Sequence, residues 1–529
     1  MKLFRQFLIV VLLCVLYFNA RSNNLQITNV TVNQSTLGSG SVAFNISWSN
    51  SWNLSGSSSN WDAVWIFVKF RLCSAASSVQ YTQGQISNAG GIYNSGGTYI
   101  PSTLQVMSTL SPSTGSASVT TLDDGNGLGI MLSPTSTGAG LSVSGYVTLP
   151  INNLPASTTP VTTEVVGIEM VYVPNGPFNL GDGSSSTTFD WSAYHYCQSA
   201  SASAASITST NETTSSTYYY MPTSSTYSAA SGSIPAVWPK GYYSFYCMKY
   251  EITEDLYAMF LNTIGSSAAT NRFPGNYQSN RNLLEQQTLS TFIANRPDRS
   301  QNWLSWADWE AVLDWAALRP MTEFEFEKGC RGGTSTTANS TLAGEYPWQS
   351  PQISQATTIS GTENGTETIT NQANCNYGSV TFSGGDGGSG PLRSGIFATT
   401  TTGEVAAGST YYGIMDMGGN VREYVVQLNW TATNDTFTRT LGDGQINTTT
   451  GPGTLVIGDA NVATWPTPNG TPTAGVPGVN DYGNKGGDWA TPIASWNYLQ
   501  TSDRQLCDYS GTSYLNVSRT GYSGGRGVR

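Results

Sequence analysis

The sequence predicts an all-β sandwich followed by a domain of mixed strands and helices, and three observations carry that expectation. From Asn24 to about Pro155, short apolar runs alternate with Gly, Ser, Asn and Pro, and no stretch sustains a helical period. PASTTPVTT (Pro155–Thr163) is Pro/Thr-rich, and residues 156–164 read as a linker. Beyond them the first helical patterns appear, each with a start and a stop signal. The composition agrees. Among 529 residues there are 57 Gly, 15 Trp and 28 Tyr but only 10% charged residues, as in a β-rich, loop-rich extracellular chain.

Residues 1–20 combine Lys2 and Arg5, an apolar run from Phe7 to Phe18, and Ala20 at a cleavage position, the pattern of a secretory signal. An uncleaved anchor is the alternative, because Phe18 suits a cleavage site poorly. No later run is long enough to span a bilayer. The formal charge of −11 is thinly spread over the chain and argues against nucleic acid or an anionic membrane as a partner. The expected location is therefore extracellular.

Within residues 21–155, Leu25–Val32, Val42–Trp48, Ala63–Leu72, Gly127–Leu132 and Leu141–Pro150 read as strands. Ala63–Leu72 is almost wholly apolar, as a strand buried on both faces would be. The first strand, with Leu25, Ile27, Val30 and Val32, has two readings. It pairs within its own domain, or it adds to the sheet edge of a second copy and builds a head-to-tail homopolymer.

From residue 165, Val165–Gly183 gives a strand and a Pro-Gly corner, and the Ser/Thr-rich insert 183–235 holds His195, the one histidine. Phe245–Ile264 passes from strand to a helix capped by Thr253, with Leu256, Tyr257, Phe260 and Leu261 on one face. Ser305 caps the next helix and Pro320 stops it. Thr322 and Glu325 form a capping box for another that ends at Gly332. A polar insert covers 431–480. Before it stands YYGIMDMGGNVREY (Tyr411–Tyr424), with Asp416 and Glu423 on either side of Gly418-Gly419. By spacing alone this is either a glycine-cornered turn with two solvated acids or a bend around a hard cation.

Six cysteines follow the leader: Cys73, Cys197, Cys247, Cys330, Cys375 and Cys507. None forms a CxxC pair, and up to three disulfides are open among them. The sequons at Asn29, Asn33, Asn45, Asn53, Asn211, Asn339, Asn364, Asn429, Asn434, Asn447, Asn469 and Asn516 permit glycosylation. So many are also expected by chance in a chain this rich in Asn, Ser and Thr.

Eight segments, MVYVPNGPF, FYCMKYEITEDLYAMF, RPMTEFEFEKGCRGG, YPWQ, GIMDMGGNVREY, KGGDWA, TSDR and GVR, stand in the order of the motifs of the formylglycine-generating-enzyme, or sulfatase-modifying-factor, family. Residues 165–529 thus resemble that family, which implies a C-type-lectin-like α+β fold. The resemblance implies calcium (Ca2+) at two places. One would use Asp416, the carbonyls of Gly419 and Val421, and Glu423. The other would use Asn374, the Cys375 carbonyl, Asp386 and the Gly388 carbonyl, although the spacing between Asn374 and Asp386 departs slightly from the family's. It also pairs Cys330 with Cys507 in a disulfide. Copper-dependent relatives bind Cu(I) between two cysteines, but the matching positions here are Thr491 and Trp496. Iron-dependent relatives need several histidines. Neither copper nor iron, and no catalysis, is expected.

The resulting expectation is a secreted, non-catalytic bacterial surface protein, calcium-braced, structural or adhesive, whose partner is itself or surface glycans and proteins. One alternative is a receptor with a diversified lectin-like surface over Asp488–Tyr514. Another is a divergent enzyme of the fold.

Overall fold

The apolar run around Trp65 becomes a thirteen-residue strand, Asn60–Leu72, at the centre of the computed structural model. The structure describes residues 24–54, 59–86, 100–107, 127–181, 205–207, 212, 216–220, 230–275, 279–333, 344–427, 437–450, 455–466, 482–492, 498–503, 506–507 and 519–529. In chain order the strands are β1 (Gln26–Gln34), β2 (Gly40–Leu54), β3 (Asn60–Leu72), β4 (Thr82–Gln83), β5 (Leu104–Met107), β6 (Ile130–Pro134), β7 (Gly138–Ile151), β8 (Val161–Val173), β9 (Phe178–Leu180), β10 (Ala205–Ile207), β11 (Ser216–Tyr220), β12 (Ala230–Ile234), β13 (Phe245–Met248), β14 (Leu284–Thr288), β15 (Thr291–Ala294), β16 (Ile359–Ser360), β17 (Thr368–Ile369), β18 (Arg422–Val426), β19 (Tyr482–Lys485) and β20 (Ser523–Gly524). The helices are α1 (Glu254–Thr263), α2 (Ser266–Arg272), α3 (Trp306–Trp315), α4 (Glu323–Arg331) and α5 (Glu404–Ala407).

β1 to β8 and β13 form one antiparallel sheet of nine strands. β2 pairs with β1 and β7 along its length and with β3 at its end. β3 then pairs with β6 and β8, and β8 with β13. Side chains alternate along β3, so its two faces serve two cores. Val64, Ile66, Val68 and Phe70 pack with Val42, Phe44, Ile46 and Trp48 of β2 and Val147 and Leu149 of β7. Ala63, Trp65 and Phe67 pack with Trp306, Trp309 and Trp315 of α3 and with α1. Trp65 Nε1 donates to the Ala316 carbonyl at 2.9 Å.

The expected linker is corrected by this pairing. Val161–Glu164 already belong to β8 and pair with Leu72, Arg71, Phe70 and Lys69. Val161, Thr162 and Thr163 are β-branched and suit a strand, and Pro160 stands just before it, where a missing N–H costs no ladder bond. The boundary expected at residue 165 therefore falls inside a strand. The insert 431–480 also departs from a purely polar loop. Of its described residues, Phe437, Ile446 and Trp465 are buried in the α3 core, and Asp314 accepts from the amides of Asp443 and Asn461.

β1 pairs with β2 of its own chain, from Gln26↔Ser47 to Gln34↔Gly40, with an irregularity at Thr28–Thr31. Leu25 is buried, Ile27 meets Gly167, Val32 is half-buried and Val30 is exposed. The helix caps agree with the expectation. Thr253 accepts from Leu256 N, and Thr322 and Glu325 close a capping box; Ser305 and Asp308 close another. The last three strands run β19-β18-β20, with β18 antiparallel to β19 and parallel to β20.

Replacing Trp65 by Ala is expected to cost about 3–5 kcal/mol, as for a large buried aromatic. Because β3 serves both cores, calorimetry should show one lowered unfolding transition. Two separate transitions, one of them unmoved, would contradict a shared sheet.

Candidate functional site

The segment that the sequence marks for a cation is a tight turn leading into β18. Asp416, Gly419 and Asn420 have φ of +58°, +81° and +61°, the left-handed region. At Gly419 a Cβ would stand 2.5 Å from the Asn376 carbonyl oxygen and 2.6 Å from Cys375 Sγ, so only glycine fits. The turn delivers Asp416 and Glu423 into the interior, 6% and 1% exposed, and the reading of two solvated acids falls. Glu251, also buried, joins them from the segment between β13 and α1. It accepts from Val421 N at 3.1 Å, Asn420 Nδ2 at 2.6 Å and Ser300 Oγ at 2.5 Å.

A cation does lie at this place, and it is a side chain. Arg526 Nε is 2.8 Å from both Glu423 oxygens, and its Nη2 is 2.6 Å from Oε1. Nη2 also donates to the Met415 carbonyl at 2.7 Å, and Nη1 to those of Met248 and Lys249 at 3.1 and 3.2 Å. Carboxylate plus carbonyl oxygens are what calcium would use, and here a planar guanidinium takes them. Asp416 Oδ2 in turn accepts from Gly395 N at 2.5 Å. The set Asp416, Gly419, Val421 and Glu423 therefore does not fit a calcium ion, since its one glutamate is already neutralised.

The second set fits no better. Asp386 receives Arg296 at 2.7 and 2.6 Å and Arg299 at 2.8 Å, which hold its carboxyl down to about 2 with Arg296 contributing most. Asn374 ties Ser354 N to the Val405 carbonyl. The Cys375 carbonyl accepts from Ala356 N and the Gly388 carbonyl from Phe382 N. Each expected ligand is thus a loop tie. Among the described residues no group of three or more His, Cys, Asp or Glu is placed to hold a metal.

The charge balance of the first cluster is incomplete. Burial is the main cause that raises Glu251 well above the usual carboxylate range, and the Asp416 carboxylate adds to it. Burial likewise raises Asp416. Arg526 stays cationic: burial opposes its charge, but Glu423 outweighs this and lifts it above its ordinary range.

At the positions where copper-dependent relatives carry thiols, Thr491 closes a turn. Its Oγ1 accepts from Asp488 N at 3.0 Å, and Asp488 pairs with Arg422. Trp496 and His195 lie outside the described residues, as do residues 1–20 and Cys197. Cys247, Cys330 and Cys507 share one apolar cluster with Phe326, Ile414 and Met417. Cys330 and Cys507 are thiols and no disulfide joins them, which corrects that expectation. The Cys507 thiol turns to the Asn484 carbonyl at 3.3 Å, while Cys330 lies at the end of α4. Burial pushes Cys247 up to about 12 and Cys330 and Cys375 well above the usual thiol range. A thiol held protonated is a poor nucleophile and a poor copper ligand.

Of the sequons, Asn29, Asn33 and Asn364 are exposed and Asn45 is half-buried. The amides of Asn53 and Asn447 are engaged by carbonyls, those of Pro134 and of Thr449 and Val456. Asn211, Asn339, Asn429, Asn434, Asn469 and Asn516 lie outside the described residues. The residues that sequence reasoning missed are Arg526 and Glu251. Both stand in quoted or adjacent motifs, GGRGVR and MKYEIT, yet nothing in their local spacing announces a partner so far along the chain.

The sequence pattern of the sulfatase-modifying factor enzyme 1-like domain matches residues 157–505. The chain belongs to that family. The match begins ahead of β8, in keeping with a strand that serves both regions. No curated protein matches the sequence. A crystal structure of the group B streptococcus pilus 2b backbone protein aligns at 12% identity over 39% of this chain and 90% of that one, with a TM-score of 0.13, too low to bear on the fold.

Arg526→Met should cost about 3–5 kcal/mol, because it leaves Glu423 buried without its partner. A loss under about 1 kcal/mol in urea unfolding would rule out the pairing as a brace. The raised Glu251 and Asp416 favour the fold fully below the usual carboxylate range, and that contribution is lost as pH rises through their folded values. Asp416→Asn is therefore expected to shrink the fall in melting temperature between about pH 5 and pH 8. An unchanged pH profile would contradict it.

Proposed function

We propose that this protein is a non-catalytic, extracellular structural or adhesive member of its family. The observation that carries the reading is the engagement of the would-be catalytic and metal positions by the fold itself. Thr491 closes a turn with Asp488, Glu423 neutralises Arg526, and the buried thiols are held protonated. Nothing in that arrangement leaves a nucleophile or an open coordination position facing a substrate. The N-terminal strands, read as a sandwich in their own right, would form the stalk-like part; the apolar layer between β2, β3 and β7 supports this. The leader-like residues 1–20 support export.

Self-assembly is a second form of the same reading. β1 is an edge strand whose ladder runs to β2 alone, so a second copy could supply the same pairing. Electron microscopy and light scattering on purified protein decide this form: filaments are expected, and monodisperse monomers would remove it and leave the adhesive form. The non-catalytic claim is tested by incubating the protein, with copper or iron supplied, with a cysteine-containing substrate peptide. Mass spectrometry should find the peptide unchanged, and oxidation of the cysteine above the metal-only control would overturn the reading. Since guanidinium groups take the calcium positions, excess EGTA is expected to leave the melting temperature unmoved. A fall reversed by calcium would reinstate the ion.

A further inference from the structure

Lys249, Asp62 and Glu169 meet where β13 ends against β8 and β3. Lys249 Nζ lies 3.1 Å from Asp62 Oδ2 and 3.5 Å from Glu169 Oε2, and the three side chains are 1%, 1% and 4% exposed. The strand registers place them there. Asp62 stands opposite Val171 and Val64 opposite Glu169, while Met248 pairs with Met170 and Lys249 N donates to the Glu169 carbonyl at 2.9 Å. The Trp52 ring covers the ammonium at 4.5 Å and Tyr250 lies at 5.7 Å.

The two oxygens of Asp62 differ. Oδ1 accepts from Ser51 Oγ and from Trp52 N at 3.1 Å, while Oδ2 faces the amine. A simple ion pair does not require that asymmetry. It is the arrangement of an acyl group held for attack: one oxygen gripped by two donors where negative charge would develop, the other free to depart. The amine lies 3.1 Å from the oxygen that would depart, and both side chains are buried. A carboxylate stands beside the amine to move a proton.

We propose that Lys249 and Asp62 join in an intramolecular amide bond, with Glu169 as the proton carrier. A proton passes from the Lys249 ammonium to Asp62 Oδ2, giving an amine and a carboxylic acid. The Nζ lone pair adds to Asp62 Cγ, and the charge that develops on Oδ1 is met by Ser51 Oγ–H and Trp52 N–H. Glu169 takes one proton from Nζ and gives it to the Oδ2 hydroxyl. The Cγ–Oδ2 bond then breaks, Oδ2 leaves as water, and the Cγ–Oδ1 carbonyl re-forms beside the new Cγ–Nζ bond. One water is released and no oxidant or cofactor is needed. Glu169 also lines a cleft with Leu25, Tyr250 and Asp298.

The bond would tie a strand of the N-terminal region to the MKYEIT segment of the family domain, independently of whether the protein is catalytic. The test is mass spectrometry of the reduced full chain from a bacterial host. The wild type should be lighter than its sequence by one water, and tandem spectra of its digest should contain a branched peptide joining Asp62 to Lys249. Lys249→Arg and Asp62→Ala should restore the full sequence mass. Glu169→Gln should slow the appearance of the branched peptide by about 10²–10⁴-fold. Wild-type protein at full sequence mass, with the Asp62 and Lys249 peptides recovered separately, overturns the proposal, and that reading needs no variant to fold. A missing water placed by the spectra at any other residue overturns it equally.

Discussion

The pairing of β3 with β8 is the constraint on which the rest of the molecule depends. It runs unbroken from Asp62↔Val171 to Leu72↔Val161 and carries the chain from the N-terminal strands into the family domain without a linker. A strand in that place is covered on both faces, so every side chain along it must be apolar or matched to a buried partner. Its sequence, NWDAVWIFVKFRL, obeys this. The three polar residues that it buries, Asn60, Asp62 and Lys69, all reach across to the other region, and Asn60 Nδ2 donates to the Tyr412 carbonyl at 2.8 Å. Asp62 meets Lys249. Lys69 donates to the Trp315 carbonyl at 2.6 Å and to that of Gly444, and its ammonium lies 5.2 Å from the Trp315 ring. Burial lowers Lys69 to about 7, with Asp314 opposing. These contacts fix how the sheet meets α3 and the loop after residue 437.

Buried charge is the theme that follows from so much covered surface. Arg526, Arg319 and Arg331 are enclosed with Glu423, Glu325, and Glu327 and Glu345 respectively. Such pairs add little net stability over apolar residues of the same size, but breaking one is costly, because it leaves a buried charge without its partner.

The sequence revealed what is local. β3 was legible from its apolar run, and the helices from Thr253, Ser305 and the Thr322–Glu325 box, because caps and periods act within a few residues. The family was legible because eight segments recur in order. The linker was misread because Pro and Thr serve both a flexible tether and the start of a strand, and only pairing with Leu72 and Phe70 decides between them. The cation at Glu423 was misread for a related reason. A carboxylate in a glycine turn shows that positive charge is wanted, but Arg526 is 103 residues away and leaves no local mark. The meeting of Lys249 with Asp62, across 187 residues, is equally a product of topology.

An arginine in place of an ion also changes what the domain depends on. Calcium brings two charges and binds by mass action, so a loop held by it responds to the supply of metal. A guanidinium brings one charge, is always present and always ionised, and fixes direction through its planar fork. The difference of one charge must then be made up elsewhere. In this structure burial is the main cause that raises the carboxyls of Glu251 and Asp416, and the single guanidinium charge of Arg526 does not offset it. A brace built into the chain cannot be lost by dilution.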